Sequence, residues 1–227
     1  YVGNADGDPR NEALNTGAYL QLDKKLFDKL ALSAGIRYER FVVENAEASQ
    51  PVLRAGATYQ VLRATYLRAS YGQGFRFPTI GERFIRTGVG NLRVYPNPDL
   101  KPERSWNVEG GLKQGFKIGG FMGYVDAVVF QQDFEDYVEF TFGQWGLPPY
   151  TMENMIGLGF MSVNTGGARV TGYELELAGK GDIGAVELSA LMGYTHTLPV
   201  STTPDERYGV SPNPASAFPP STYLNTS

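Results

Sequence analysis

Little in this chain could make or break a covalent bond. His196 is its one histidine, and cysteine is absent. A hydrolase triad or a histidine-rich zinc site needs more partners than that. Glu82 and Glu103 could form a carboxylate pair, but nothing in the sequence fixes their separation, so glycosidase chemistry has no support. The glycines at 88 and 90 are followed by no lysine and open no helix, so they do not make a phosphate loop. Asp6, Asp8 and Glu12 could meet a calcium ion, although acidic loops are usually only solvated. Asn225, Thr226 and Ser227 spell a glycosylation acceptor. No catalytic residue, metal ligand or cofactor is therefore assigned. What remains is recognition. Arg86, Arg93 and Tyr95 lie in one long segment, and Phe140, Phe142, Trp145, Tyr150 and Met152 in another. Arginines and aromatics are favoured where a surface meets a partner, and equally serve to pack loops on each other. Arg86, Arg93, Tyr95, Phe142, Trp145 and Tyr150 are the candidate ligand-facing groups.

Such groups need a scaffold, and composition narrows what it can be. The chain has 227 residues, 28 of them glycine, with 13% aromatics and a net charge of -4. That much glycine disfavours a helical bundle. No run of about 18 apolar residues offers a membrane helix. A membrane β-barrel stays open, because its strands are apolar on one face only. The mild acidity gives no reason to expect a nucleic-acid partner.

Period-two alternation dominates. In LALSAGIRYERFVV, Leu30, Leu32, Ala34, Ile36, Tyr38 and Val42 share one face, and Ser33, Gly35, Arg37 and Glu39 the other; Arg40 interrupts the apolar face. Trp106, Val108, Leu112 and Phe116 alternate with Asn107, Glu109 and Lys113. Tyr173, Leu175 and Leu177 oppose Glu174 and Glu176, and Leu188, Ala190, Met192 and Tyr194 oppose Glu187 and Ser189. A weaker case sets Leu67, Ala69 and Tyr71 against Arg68 and Ser70. Further strands are expected near 16–23, 51–60 and 119–134, the last with its faces ambiguous.

The connections alternate in length. Those at 24–28, 61–63, 117–118 and 180–183 are short. Those at 73–102, 135–167 and 198–221 are long, and 44–50 is intermediate. In an antiparallel meander every second connection lies at the same end, so short turns gather at one end and long loops at the other. Outer-membrane barrels are built this way. Alternation alone would also suit any half-buried antiparallel sheet. A barrel would put Arg37, Glu39, Arg68, Glu109, Lys113, Glu174, Glu176 and Glu187 toward its lumen. It would set Tyr38, Tyr71, Trp106 and Tyr194 near one membrane interface and Phe116 near the other.

Four landmarks, in order, carry a family resemblance: NTGAYLQLDKKLFDKLALSAGIRYER at 15–40, SYGQGFRFPTIGERF at 70–84, PNPDLKPERSWNVEGGLK at 96–113 and VNTGGARVTGYELEL at 163–177. Together they resemble the barrel of TonB-dependent outer-membrane receptors. The resemblance implies an all-β, antiparallel up-and-down meander of about eight strands. It would be a partial segment of a transmembrane barrel of about 22 strands, filled by a plug. It further implies uptake of a scarce solute (ferric siderophore, haem, cobalamin or glycan) with energy passed on by TonB. The partners so implied are outer-membrane lipid, the N-terminal plug of the same chain, the TonB complex and the small solute, in the bacterial outer membrane. Residues 1–227 would then be part of one barrel domain, with plug and terminal strand lying outside it. A passive porin-like channel and a surface β-sheet binding module are the alternatives. Phe75, Arg76, Phe77 and Pro78 mark where the second landmark leaves the sheet, and are expected to anchor the loop by packing rather than to hold a ligand.

Overall fold

The computed structural model describes residues 12–44, 46–89, 92–207 and 210–216. In chain order the elements are β1 (Ala13–Leu26), β2 (Leu30–Val43), β3 (Ala46–Leu62), β4 (Thr65–Arg76), α1 (Ile80–Phe84), β5 (Thr87–Val89), β6 (Leu92–Tyr95), β7 (Glu103–Ile118), β8 (Phe121–Glu135), β9 (Val138–Gln144), a 3-10 turn (Met152–Gly157), β10 (Leu158–Asn164), β11 (Ala168–Ile183) and β12 (Val186–Ser201). Eight of them form one antiparallel sheet in the order β1-β2-β3-β4-β7-β8-β11-β12. The other four form a smaller sheet, β5-β6-β10-β9, inside the two long connections. Asp6, Asp8, Gly90, Asn225, Thr226 and Ser227 lie outside the described residues.

Directly paired residues share a face of a sheet, so the ladders decide every side-chain direction. The row Thr58, Arg68, Gly111, Val128, Glu174 and Thr195 crosses from β3 to β12. Arg37, Glu39, Glu109, Lys113, Glu176 and Glu187 have the same parity, so all eight expected lumen residues lie on this charged face. The apolar face carries Leu32, Leu175 and Leu188, which remain 38%, 45% and 42% exposed. No dry core gathers them. The ambiguous strand near 119–134 is settled too. Phe121, Val125 and Val129 stand on the apolar face, and Tyr124, Asp126 and Val128 on the charged one.

Rows and strands are not square to the turns. The row Lys24, Leu32, Ala57, Ala69, Gly110, Val129, Tyr173, His196 starts two residues from the turn end of β1 and finishes ten from the turn end of β12. Eight residues of stagger over seven strand steps corresponds to a tilt of roughly 40°, at ~3.4 Å per residue and ~4.8 Å per strand. Barrels need such a tilt to close.

Several boundaries differ from expectation. The connection after β2 is two residues, not seven, because 46–50 continues β3. There Arg40 pairs with Glu47 at 2.7 Å and the ladder reaches Val43 and Ala46. Asn45, the acidic pair around it and Pro51 imitate a loop in the sequence. Strand β4 does not stop at Gly72 but pairs with β7 as far as Arg76 and Glu103. The turn expected at 117–118 falls at Gly119 and Gly120, where Gly119 takes φ +60°. That left-handed region favours glycine over a side chain carrying Cβ. The long connections are not structureless, since they hold α1 and the four-stranded sheet.

Candidate functional site

The loop layer is fastened where the landmark motifs lie. Thr79 caps α1: its hydroxyl accepts from the Glu82 N–H at 3.2 Å, and the Glu82 carboxylate accepts from the Thr79 N–H at 2.8 Å. This reciprocal pair satisfies backbone donors that a helix start leaves bare. Arg76 Nη1 donates to both Glu82 oxygens at 2.9 Å, while its Nε donates to Glu103. Glu103 also accepts the Val138 N–H at 2.7 Å. One guanidinium thus ties β4, α1, β7 and the start of β9. The carboxylate pair suspected at Glu82 and Glu103 exists, but as the two jaws on Arg76. Burial pushes the Glu82 carboxyl up. The bonds from the Thr79 N–H, from Arg76 and from the Thr79 hydroxyl together outweigh it and hold the group below its ordinary 4.5.

The apolar half of the motif does the packing expected of it. Phe77 is buried and stacks on Phe41 with centroids 5.9 Å apart and planes 10° apart. Pro78 is fully buried. Arg83, also buried, lies 5.4 Å from both the Phe77 and Phe84 rings and donates to the Pro98 carbonyl. Burial lowers its pKa, and nearby Asp99 pulls the other way.

A second joint unites the third and fourth landmarks. Asn97 Nδ2 donates to the Ser162 carbonyl at 2.9 Å. Asn164 accepts from the Lys101 N–H at 2.9 Å and donates to the carbonyls of Lys101 and Asp136 at 3.1 and 2.7 Å. Thr165 donates to the Tyr137 carbonyl from both its N–H and its hydroxyl. Gly167 has no room for a side chain, since a Cβ there would come within 2.2 Å of Thr202 Oγ1. The segment after β12 packs into that space, with the Gly167 N–H donating to Thr203 Oγ1 at 3.1 Å.

The candidate ligand-facing residues divide by depth. Arg86, Arg93 and Phe142 are exposed, and Tyr95 and Tyr150 are half-buried. Phe142 meets Phe160 edge-on at 5.3 Å, and Phe140 stacks on the same ring at 5.2 Å. The Tyr150 hydroxyl accepts from Asn213 Nδ2 at 2.9 Å, and burial raises the Tyr95 pKa. Trp145 departs from the expected exposure, for it is 6% exposed and fills the interior of the layer. Its ring lies where a Cβ on Gly143 would fall, 2.8 Å away. The slot is made by glycine two residues earlier, a cue the sequence offers only once the strand is known. His196 stands on the apolar face, 5.3 Å from Tyr173. Among the described residues no group of His, Asp or Glu could hold a metal ion.

The charged face forms a partly neutralised network. Arg37 and Glu39 pair at 2.7 Å. Arg68 passes over Gly111 to reach Asp126 at 2.9 Å, and a Cβ on Gly111 would lie 2.7 Å from its Nε. Lys113 sits 3.9 Å from Asp126 and 3.5 Å over the Tyr124 ring, whose hydroxyl donates to Glu176 at 2.5 Å. Glu109 accepts from Ser70 and Asn107. Glu174 and Glu187 are exposed. Asp126 and Tyr124 were missed because their strand's faces could not be told apart by composition.

The family model described as TonB dependent receptor-like, β-barrel, matches residues 1–225. The heme/hemopexin utilization protein C of Haemophilus influenzae is 27% identical over 201 residues, covering 74% of this chain and 27% of that protein. The hemoglobin and hemoglobin-haptoglobin-binding protein of Haemophilus ducreyi is 29% identical over 114 residues, covering 48% and 11% respectively. A double mutant of the hemophore receptor HasR of Serratia marcescens, in complex with its hemophore and heme, superposes with a TM-score of 0.70 at 19% identity, over 82% of this chain and 34% of that one. The siderophore receptor PirA of Pseudomonas aeruginosa does so with a TM-score of 0.64 at 17% identity, over 83% and 35%. These superpositions establish the fold. The chain spans about a quarter or less of the curated relatives it matches.

Removing the clamp should loosen the loop layer and leave the sheet intact. Arg76→Ala sets two partly buried carboxylates side by side. It is expected to lower the free energy for opening 77–102 by about 1–2 kcal/mol, after allowing for solvent screening at this partly exposed site. Hydrogen exchange reads that quantity locally. Because the folded Glu82 pKa is depressed, its stabilisation is complete above the ordinary 4.5 and is lost as pH falls through the lower folded value. Protection of the loop layer should therefore persist from neutral pH to about 4.5 and fade below it; unchanged protection at lower pH would remove Glu82 from the joint.

Proposed function

The chain belongs to the TonB-dependent receptor β-barrel family, and on that premise we propose that it forms wall and outer loops of a receptor in the bacterial outer membrane. The receptor imports a scarce solute, and the proteins named in the sequence matches favour haem among siderophore, haem, cobalamin and glycan. TonB supplies the energy through parts of the protein outside this chain. The plug, also outside it, meets the charged face. Arg86, Arg93, Tyr95, Phe142 and Tyr150 meet the solute from outside, and Trp145 holds their layer together.

The observation that carries this proposal is a sheet exposed on its apolar side and tilted by about 40°. On β2 the apolar side runs from Leu30 to Tyr38 and gives way to charge at Arg40. Eight residue steps at that tilt span roughly 21 Å, close to the ~25 Å lipid-facing band of outer-membrane barrels. Two ion pairs on this face lie beyond the band: Arg40 with Glu47 at 2.7 Å, and Arg169 with Asp133 at 2.7 Å. Tyr38, Tyr71 and Tyr194 are 48%, 37% and 55% exposed on the same face, where a ring with a polar tip suits the interface. An open polar channel would not need the loop layer to be bolted so firmly over the strand ends.

Uptake of labelled hemin by cells expressing the full receptor should occur in a TonB-proficient strain and vanish in a TonB-deficient one; equal uptake in both would favour a passive channel. Val125→Arg, on the apolar face four residues from the turn end of β8 and so midway up that band, should destabilise the receptor refolded in lipid vesicles by about 2–4 kcal/mol, the cost of arginine facing the bilayer midplane. A denaturant titration with no such loss would turn that face away from lipid. Reversing Glu174 and Glu176 to lysine should lower both stability and uptake if the plug rests on this face. Intact stability and uptake would end that part of the proposal.

A further inference from the structure

One break interrupts the pairing of the eight-stranded sheet. Strands β3 and β4 pair from Leu62 and Thr65 as far as Arg54 and Gly72, and there the ladder stops. Both strands continue. β3 runs on beside β2 to Ala46, and β4 runs on beside β7 to Arg76. Every other ladder of this sheet among the described residues reaches within one residue of its strands' outer ends.

The sequence builds this break. In a strand, the N–H groups of residues i and i+2 point to the same edge. The Leu53 N–H points at β4, but it donates to the Gln73 side chain at 3.1 Å instead of to a backbone carbonyl. The next donor on that edge belongs to position 51, which is proline and has none. Gln73 Nε2 in turn donates to the Tyr71 hydroxyl at 3.0 Å. The remaining links across the gap are also side chains. Arg104 Nε donates to Gln50 Oε1 at 2.7 Å, and Phe41 packs against Phe75 and Phe77. Backbone rungs hold two strands at one spacing, whereas side-chain staples let them part and rejoin.

The loop layer sits unevenly on the two sides. The Arg76 clamp and the Asn164 joint bind it to β4, to β7 and to the residue that follows β8 through charge-assisted and backbone hydrogen bonds. The stacking of Phe77 on Phe41 reaches the β2 side without a hydrogen bond. We infer that Arg54 and Gly72 form a hinge, above which β1–β3 make one block and β4 with the loop layer and the later strands make another. Resting on the receptor proposal, this hinge gives solute contact with the loops a route into the wall, through β4. Rigid-body hinging at a few element residues is an ordinary way for such coupling to travel.

Spin-label distances in the full receptor, reconstituted in lipid vesicles without solute, test the hinge. This chain contains no cysteine to confuse the labelling; cysteines elsewhere in the receptor would be replaced. An upper pair, Ser49→Cys with Glu135→Cys, spans the break. A lower pair, Tyr59→Cys with Val125→Cys, joins the same two strands below it on the same apolar face; all four positions are exposed. The upper distance distribution should be at least twice as broad as the lower, and Gln73→Ala should broaden the upper one alone. An upper distribution as narrow as the lower, or one indifferent to Gln73→Ala, would overturn the inference. Neither measurement uses solute or TonB, so failure here leaves the uptake proposal standing, and failure of uptake leaves this test valid.

Discussion

The register of strand pairing is the constraint from which the rest of the molecule follows. A slip of one residue in any ladder would exchange the two faces of a strand. Leu175 would then join Arg68 and Lys113, and Glu174 would join Leu112. The register is held because many independent pairs agree on it: Arg68 with Asp126, Lys113 with Tyr124, and Tyr124 with Glu176 all span neighbouring strands on one face. Glycine takes part in this. Gly111 leaves the path along which Arg68 reaches β8, so the Glu-Gly-Gly landmark at 109–111 serves a neighbour's side chain more than its own backbone.

The landmarks at 70–84, 96–113 and 163–177 otherwise lie about the outer strand ends. There a chain leaving the sheet must satisfy backbone groups that the ladder no longer serves. Arg76, Glu82 and Glu103 do this with charge, and Asn97, Asn164 and Thr165 with amides and a hydroxyl. Phe77 and Pro78 remove apolar surface from water at the same place. These residues build a platform, and the more exposed Arg86, Arg93 and Phe142 are carried on it. The side chains that fasten this platform are thus distinct from the exposed Arg86 and Arg93 above it.

Pro51 links this design to motion. In the interior of a sheet a proline would cost a rung. In β3 it faces the edge from which β4 has already withdrawn, so the rung is given up where the wall divides. Gln73 keeps the Leu53 donor satisfied while the two strands remain free of each other. The interruption lies beside the end of β4, from which the first of the two long connections departs.

The sequence by itself determined the all-β class, the eight main strands, the side of each charged residue in the clear strands, and the anchoring role of Phe75 to Pro78. Period two and the turn residues are local properties, and local properties can be read along a chain. Only the tertiary structure decided which face Asp126 and Tyr124 occupy, that 46–50 is strand, that Arg76 is held by Glu82 and Glu103, and that Trp145 lies inside. Each of those depends on which segment pairs with it rather than on its own pattern: β11 beside β8, β2 beside β3, β7 beside β4, Gly157 beside Trp145. Apolar residues on both faces of β8 left its periodicity without a preferred phase, and only pairing with neighbours could supply one.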